Sequence, residues 1–384
     1  MGARQTGKST LVQTLPALQD IPYLTLDDLD VRDQARVAPE DLVRRAPRLI
    51  LDEVQREADL VLAIKRAVDE QRPRVRGRFV LTGSANLLLM KRVSETLAGR
   101  ASYVTLWPLT RREQLGLGTA GFWSDFFGWP VGEWSERVQA EDVPAADWRE
   151  VALRGGHPTP AHELDTKEER SIWFAGYVKT YLERDLQDLS AIENLVDFRR
   201  LMRATCLRLG NLLNQTELGR DTGLPQPTVH RYLNLLETSF QLVRLAPYSV
   251  NRTKRLIKTP KAYWGDTGLA MFLSGESNPG GAQLENLVLT DLIAWRDSQV
   301  VQPEVLYWRT AAGQEVDFVV EHEGDLLAIE VKTTTRPSHR DVAHMRAFRE
   351  EYGDRVRGGL LLHAGTETFW ITDRVLATPW WRVL

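Results

Sequence analysis

Cysteine is almost absent from this sequence of 384 residues, in which Cys206 is the only one. A single thiol excludes disulfides within the chain and zinc sites built from several cysteines. Long apolar runs are also absent, because no stretch approaches the roughly 18 residues of a membrane span. The charged and apolar segments of a secretion signal are not seen at the start. These absences predict a cytoplasmic protein without a membrane partner.

An excess of charge of one sign is the next absence. The formal net charge is −3, and the hydrophobic share of 43% and the charged share of 26% are ordinary for a globular protein. Any contact with nucleic acid must therefore come from a local basic patch. The length allows two or three domains with substantial cores.

The first nine residues, MGARQTGKS, contain a phosphate-binding motif. Gly2, Gly7, Lys8 and Ser9 occupy the fixed positions of GxxxxGK(S/T), and Thr10 continues into a predicted helix. Glycines let backbone amides converge on phosphate oxygens, and the helix N-terminus adds partial positive charge. We expect Lys8 to reach the β- and γ-phosphates of ATP and the Ser9 hydroxyl to bind Mg²⁺. The alternative is a Gly-rich turn that opens a helix by chance.

Only Met1 precedes this motif, whereas a phosphate-binding loop normally follows a buried strand. The predicted core therefore lacks its first strand, either because the start site is misassigned or because the chain is a truncated variant. We expect this chain to bind nucleotide weakly until an upstream apolar strand is restored.

Two carboxylates follow a second apolar run, LILDEVQ. Asp52 and Glu53 come where a buried parallel strand would deliver them to the carboxyl edge of a sheet. In a phosphate-binding site, Asp52 would hold Mg²⁺ through water and Glu53 would polarise the attacking water. The alternative is a strand that ends in two solvated acids. The next predicted strand, residues 78–84, places the hydroxyl of Thr82 or Ser84 beside Asp52.

Arg100 follows in the stretch ETLAGR and is a candidate for the cation that stabilises the transition state. It could act within the chain or from a neighbouring subunit, and the second case is our reason to consider a homo-oligomer. A surface arginine that pairs with Glu95 is the alternative.

The order of GARQTGKST, LILDEVQ, VLTGSAN and LAGRASYVTLWPLT resembles the bacterial and archaeal AAA-type P-loop ATPases that carry a C-terminal domain of unknown function. The resemblance implies an α/β ATPase core over residues 1–115. It also implies that Lys8 and Ser9 bind phosphate and Mg²⁺, that Asp52 is the second metal residue and that Glu53 is the catalytic base. ATP and Mg²⁺ are the ligands that follow.

An aromatic, turn-rich connector is predicted over residues 116–160, and no chemistry is assigned to it. Its segment RGGHP, residues 154–158, resembles a signature of the same family.

A helical and winged-helix domain is predicted over residues 161–275. There, residues 214–221 and 227–237 have the spacing of a helix-turn-helix. The second helix could enter a major groove of DNA with Thr228, His230 and Arg231 facing the groove.

Two strands, residues 240–245 and 254–258, are predicted to form the wing. The stretch 244–261 contains six basic residues and no acidic one: Arg244, Arg252, Lys254, Arg255, Lys258 and Lys261. DNA phosphates are a natural partner for such a patch. The alternatives are a solvated face or a winged helix that only packs against other domains.

The last domain, residues 276–384, has a predicted order of helix, three strands, helix and strand that resembles the PD-(D/E)XK nuclease superfamily. The resemblance implies that Asp317 and Glu330 bind Mg²⁺, that Glu285 completes the carboxylates and that Lys332 positions the attacking water. Glu330 and Lys332 share one strand face because side chains alternate. An inactive scaffold in which these residues form ion pairs is the alternative.

Two functions are therefore predicted. The first is an ATP-hydrolysing AAA-type protein that couples nucleotide state to a DNA-binding or nuclease-like region. The second is a nucleotide-dependent switch that binds a partner and cleaves nothing. A third interpretation is a degenerate remnant whose ATPase activity was lost with the first strand.

Overall fold

A small parallel sheet forms the N-terminal part of the protein. The computed structural model describes residues 1–57, 59–71, 75–83, 96–118, 120–185, 192 and 194–384. Its first three strands are β1 (Tyr23–Thr25), β2 (Leu49–Asp52) and β3 (Phe79–Leu81), and they are hydrogen-bonded in the order β1-β2-β3. All four residues of β2 are buried, as a central parallel strand requires.

Helices cover this sheet. Helix Leu60–Glu70 buries Leu60, Ile64 and Ala67, which recur every three or four residues and so form one face. The other N-terminal helices are Lys8–Thr14, Leu29–Val37 and Pro39–Arg44, and Arg111–Gln114 follows the sheet.

The segment 102–106 does not form a strand. Its backbone nevertheless bonds to the first residue of the chain: the N-terminal ammonium of Met1 donates to the carbonyl of Val104 at 2.6 Å, and the amide of Leu106 donates to the carbonyl of Met1 at 2.7 Å. The phosphate-binding motif thus begins directly beside this segment.

The aromatic stretch predicted as a connector lies in the largest hydrophobic core. Trp123, Phe126, Trp134 and Trp148 are all buried there with residues of the C-terminal sheet. Its helices are Trp123–Gly128, Trp134–Ala140, Trp148–Arg154 and Pro158–His162. These aromatic side chains therefore link successive parts of the chain.

A helical region follows. Helix Lys167–Tyr177 continues into the π-helical turn Val178–Asp185, and helices Leu195–Cys206, Gln215–Thr222 and Gln226–Thr238 come next. The last two match the predicted helix-turn-helix spacing, and Gly223 adopts the left-handed conformation (φ 70°) that ends the first of them.

The predicted wing is wrong in one strand. Residues Arg252–Ile257 form a helix capped by the side chain of Asn251, and the strand that pairs antiparallel with β4 (Leu242–Leu245) is β5 (Lys261–Trp264). Asparagine is a favoured N-cap because its side-chain oxygen accepts a free backbone amide. Helix Thr267–Ser274 follows this hairpin.

The C-terminal part contains a six-stranded mixed sheet. After helix Gly281–Ser298, its strands are β6 (Glu304–Arg309), β7 (Glu315–His322), β8 (Asp325–Lys332), β9 (Val356–His363), β10 (Phe369–Thr372) and β11 (Val375–Pro379). They are hydrogen-bonded in the order β10-β11-β9-β8-β7-β6, helix Ala343–Tyr352 lies between β8 and β9 in the chain, and helix Trp380–Val383 comes last. The order from helix to β9 agrees with the prediction, whereas β10 and β11 were not predicted. Among the described residues, no helix is long and apolar enough to cross a membrane.

Asp291 joins helix Gly281–Ser298 to the aromatic stretch. Its Oδ1 atom accepts hydrogen bonds from the backbone amide of Gly121 at 2.8 Å and from the indole of Trp123 at 2.6 Å. Burial raises the pKa of Asp291 to about 6. Because the folded state holds this proton more tightly than the unfolded chain, the free energy of unfolding falls as pH rises from about 4 to 6.

Replacing Asp291 with Asn removes this pH dependence, because an amide cannot lose the proton. Because the wild-type free energy of unfolding falls with pH and that of the variant does not, the difference between them should shift by up to about 3 kcal/mol in favour of the variant from pH 4 to pH 7. Urea unfolding followed by tryptophan fluorescence at several pH values measures this difference. Asp373→Asn, at an exposed carboxylate, is the control. A difference for Asp291→Asn that does not change with pH contradicts the account.

Candidate functional site

The phosphate-binding loop, residues 2–9, has the backbone that its glycines predict. Gly2 and Gly7 have φ values of 149° and 86°, and a side chain on Gly2 would collide with the carbonyl oxygen of Leu106. Gly7 is also the N-cap of helix Lys8–Thr14. Gln5 has φ 57°, which is uncommon for a residue with a side chain. The motif is therefore a tightly folded turn at a helix N-terminus.

Lys8 lies between this loop and the end of β2. Its ammonium donates to the carbonyl oxygens of Ala3 and, at 3.4 Å, of Gly2. Burial lowers the pKa of Lys8 to about 8, and the nearby carboxylates of Glu53 and Asp52 act in the opposite direction. The structure thus brings together the lysine and the two acids that the sequence singled out.

Asp52 is buried, and both of its carboxylate oxygens have partners. The hydroxyl of Tyr23 donates to Oδ2 at 2.5 Å, and the hydroxyl of Thr82 donates to Oδ1. Burial, together with this bond to Asp52, raises the pKa of Tyr23 to about 12. The sequence predicted Thr82 beside Asp52 but missed Tyr23. The available signal was a polar aromatic residue in β1, the strand that pairs with β2.

Glu53 follows β2 in a left-handed conformation, with φ 56°. This backbone costs an ordinary residue about 1 kcal/mol, and such strain occurs frequently at functional sites. The side-chain amide of Gln55 donates to the Glu53 carboxylate. Burial raises the pKa of Glu53, and the charges of Asp52 and Asp27 add to the shift. A more basic carboxylate is better suited to accept a proton from water.

The remaining predicted residues of this site differ in their surroundings. Ser9 is half-buried and Thr10 is exposed on the first turn of helix Lys8–Thr14. Arg100 forms two hydrogen bonds with Asp69, at 2.7 and 2.9 Å, so the structure pairs it with an acid of helix Leu60–Glu70. Ser84 and Glu95 lie outside the described residues.

A turn that the sequence left without a role touches the loop. The Nδ1 atom of His157 lies 3.3 Å from the carbonyl oxygen of Gln5, and the hydroxyl of Tyr177 donates to the carbonyl of Arg4 at 3.4 Å. Residues more than 150 positions away therefore contact the backbone of the phosphate-binding loop.

A second group of charged residues lies at the C-terminal sheet. The ammonium of Lys332 lies 2.5 Å from Oε1 of Glu330, and the amide of Val331 donates to Oδ2 of Asp317 at 2.9 Å. Glu285 accepts a hydrogen bond from the hydroxyl of Tyr263 at 3.0 Å. Burial raises the pKa values of Glu285 and Glu330, and in both cases the charge of Asp317 adds to the shift.

Lys261 adds a cation to this group that the sequence assigned to a DNA-binding patch. It is only 3% exposed, it contacts Glu315, and its ammonium lies 3.9 Å from Oδ1 of Asp317. Within the described part of the chain, no group of three histidine, cysteine or acidic residues is arranged to hold a metal ion. The predicted metal ligands Glu285, Asp317 and Glu330 are thus neighbours in an ion-pair network, and their role as ligands stays a prediction.

Comparison with known proteins adds a family to this geometry. An AAA domain matches residues 1–115, and two domains of unknown function, DUF8612 and DUF4143, match residues 145–280 and 280–383. The uncharacterised protein Rv2008c of Mycobacterium tuberculosis is 32% identical over 98% of this chain and 78% of its own length. The chain belongs to this AAA-type ATPase-like family. Protein Mb2031c of Mycobacterium bovis has the same identity and coverage.

Protein VC1899 from Vibrio cholerae is a solved structure with a weak similarity to this family member. It covers 90% of this chain and 88% of its own, but it is 12% identical with a TM-score of 0.19. That score supports no conclusion about a shared fold. The AAA domain itself indicates a P-loop NTPase core that binds nucleotide, with a C-terminal domain of unknown function.

The basic patch of this AAA-type protein is only partly available to a partner. Arg255 is buried, and its guanidinium lies 2.7 Å from Glu304 and 2.6 Å from Glu321. Arg244 is half-buried and donates to the side chain of Asn234 at 2.8 Å. Lys261 is also buried, and Arg252 lies 3.9 Å from Glu304, so four of the six predicted basic residues contact groups of the same chain. Arg252, Lys254 and Lys258 are exposed.

Arg255→Met should therefore destabilise the protein. It leaves the mostly buried Glu321 with less compensating charge, and we expect a loss of about 3 kcal/mol of unfolding free energy. Lys258→Met is the control and should change this energy by less than about 0.5 kcal/mol, because its side chain is exposed. Urea unfolding measures both values. Equal stability of the two variants contradicts the assignment of Arg255 to an internal ion pair.

Proposed function

We propose that this protein binds and hydrolyses ATP at the phosphate-binding loop. The observation that supports this proposal is the position of Lys8 between the folded loop and the carboxylates of Asp52 and Glu53. A half-buried cation next to a helix N-terminus suits the β- and γ-phosphates. Gly2 and Gly7 shape the loop, and Ser9 and Thr10 lie in the first turn of helix Lys8–Thr14.

The oxygen donors at this site fit Mg²⁺. Ser9 provides a hydroxyl and Asp52 a carboxylate, which are hard ligands of the kind that Mg²⁺ prefers. Tyr23 and Thr82 hold the Asp52 carboxylate in place. When bound, Mg²⁺ neutralises charge on the transferring phosphate.

Glu53 acts as the base in this proposal. Its raised pKa and its left-handed backbone, which turns the residue away from the strand direction, favour a role toward water. The Gln55 amide restrains the carboxylate. Arg100 can assist only after it leaves Asp69, within the chain or across a subunit contact.

Lys8→Ala should weaken MgATP binding by at least about tenfold, because the phosphates lose the cation that pairs with them. Glu53→Gln should leave MgATP affinity within about threefold but slow hydrolysis by about a hundredfold or more. Isothermal titration calorimetry and steady-state phosphate release measure the two effects. Glu70→Gln, at an exposed carboxylate of the same region, is the control. Unchanged MgATP affinity in Lys8→Ala contradicts the proposal.

A metal-dependent nuclease is the second candidate function. It is favoured by the convergence of Asp317, Glu330 and Lys332 at neighbouring positions of β7 and β8. In this candidate, Glu285, Asp317 and Glu330 hold Mg²⁺ and Lys332 positions water. Lys261 must withdraw from Asp317 for a metal ion to reach the carboxylates. The exposed part of the basic patch and helix Gln226–Thr238 would contact DNA.

Purified protein should then cleave DNA only with Mg²⁺, and Asp317→Ala or Lys332→Ala should each reduce cleavage by about a hundredfold or more. Lys332 is the sharper test because its side chain is 35% exposed and its loss disturbs the fold less. Asp325→Ala, an exposed position at the start of β8, is the control. If wild type does not cleave, or if cleavage is equal in Lys332→Ala, the nuclease candidate is rejected in favour of the partner-binding switch.

A further inference from the structure

The Arg-Gly-Gly-His-Pro turn, residues 154–158, lies against the phosphate-binding loop. His157 is 1% exposed, and its Nδ1 atom faces the carbonyl oxygen of Gln5 at 3.3 Å. A carbonyl oxygen only accepts hydrogen bonds, so we assign the ring proton to Nδ1. Burial lowers the pKa of His157 and thereby keeps the ring neutral, although the charge of Asp266 opposes this shift.

The carboxylate of Asp266 holds the backbone of this turn. Its Oδ2 atom accepts from the amides of Gly156 at 2.7 Å and of His157 at 3.2 Å. A side chain at position 155 would collide with the same carboxylate, and one at position 156 would collide with the carbonyl of Leu109. Gly155 is therefore needed for the close approach to Asp266, and Gly156 for the close approach to Leu109. The Asp266 carboxylate sets the position of His157.

Tyr177 holds the preceding carbonyl of the loop. Its hydroxyl donates to Arg4 at 3.4 Å, and the side-chain amide of Gln241 donates to the same hydroxyl at 3.3 Å. The ring of Tyr177 lies 4.9 Å from the ring of His157 and stacks on Trp173. Two consecutive carbonyls of the loop, those of Arg4 and Gln5, are thus held by one buried cluster.

This arrangement determines where the loop amides point. In a trans peptide the C=O and N–H bonds point in opposite directions. Because the carbonyls of Arg4 and Gln5 point toward the cluster, the amides of Gln5 and Thr6 point away from it. No described group accepts a hydrogen bond from the Thr6 amide. Outward amides are the donors that a phosphate group requires.

We propose that His157 is a positioning residue for ATP: its hydrogen bond to Gln5 turns the loop amides toward the phosphates. The inference rests on the proposed ATP binding and assigns a role to the RGGHP turn. Because the bond acts on the loop before chemistry, its loss affects the affinity for the nucleotide more than the hydrolysis step.

His157→Ala tests the assignment against His157→Asn, whose side-chain amide can donate from about the position of Nδ1. His157→Ala should raise the KM for MgATP about five- to tenfold with kcat within about twofold, and His157→Asn should recover most of the affinity. Steady-state phosphate release gives both constants, and calorimetry gives the dissociation constant.

His363→Asn is the matched control, because His363 is also buried and its Nε2 atom lies 3.0 Å from the carbonyl of Glu367, in the C-terminal sheet. It should leave the KM for MgATP unchanged. Loss of thermal stability in His157→Ala with an unchanged KM would mean a purely structural role and overturns the inference. The outcome is separable from failure of ATP binding itself: if Lys8→Ala weakens binding and His157→Ala does not, only the role of His157 is wrong.

Discussion

The carboxylate of Asp266 is the contact on which the candidate nucleotide site depends. It accepts hydrogen bonds from the amide of Leu269, at the start of helix Thr267–Ser274, and from the amides of Gly156 and His157 in the turn of residues 154–158. Hydrogen bonds to a charged acceptor are roughly twice as strong as neutral ones, and this acceptor is buried. One side chain thus joins helix Thr267–Ser274 to the turn that supports the phosphate-binding loop.

This linkage means that the AAA domain, residues 1–115, does not contain all of its own support. The carbonyls of Arg4 and Gln5 are held by Tyr177 and His157, and the indole of Trp107 donates to Asp297 of helix Gly281–Ser298 at 2.7 Å. The phosphate-binding loop and the AAA domain are therefore hydrogen-bonded to later parts of the chain.

Ion pairs of two buried cations connect residues 252–264 to the C-terminal sheet in the same manner. Lys261 contacts Glu315 of β7, and Arg255 contacts Glu304 of β6 and Glu321 of β7. Removing one partner of such a pair leaves an uncompensated buried charge, which is costly. The relative position of the two regions is therefore tied to these cations, and the surface open to DNA is smaller than a count of basic residues indicates.

Local patterns in the sequence predicted the parts of the site that are local in structure. The loop motif and the acids at the end of an apolar run depend on spacing within a few residues, and Lys8, Asp52 and Glu53 do come together. No role is predicted for His157, and Lys261 is predicted on a DNA-binding surface although it is buried. Both were missed because their partners are distant in sequence. The helix Arg252–Ile257 was missed because its basic residues suggested a wing, whereas the Asn251 cap was the better signal.

Hydrogen–deuterium exchange of the full chain, with and without MgATP, tests the central claim that the phosphate-binding loop, the turn of residues 154–158 and Asp266 act as one unit. The account predicts slower exchange of amides at residues 2–9 and also at residues 155–157 and 266–269, since ordering the loop restrains the cluster that holds it. Slower exchange confined to the loop, with unchanged exchange at residues 155–157 and 266–269, would contradict this claim.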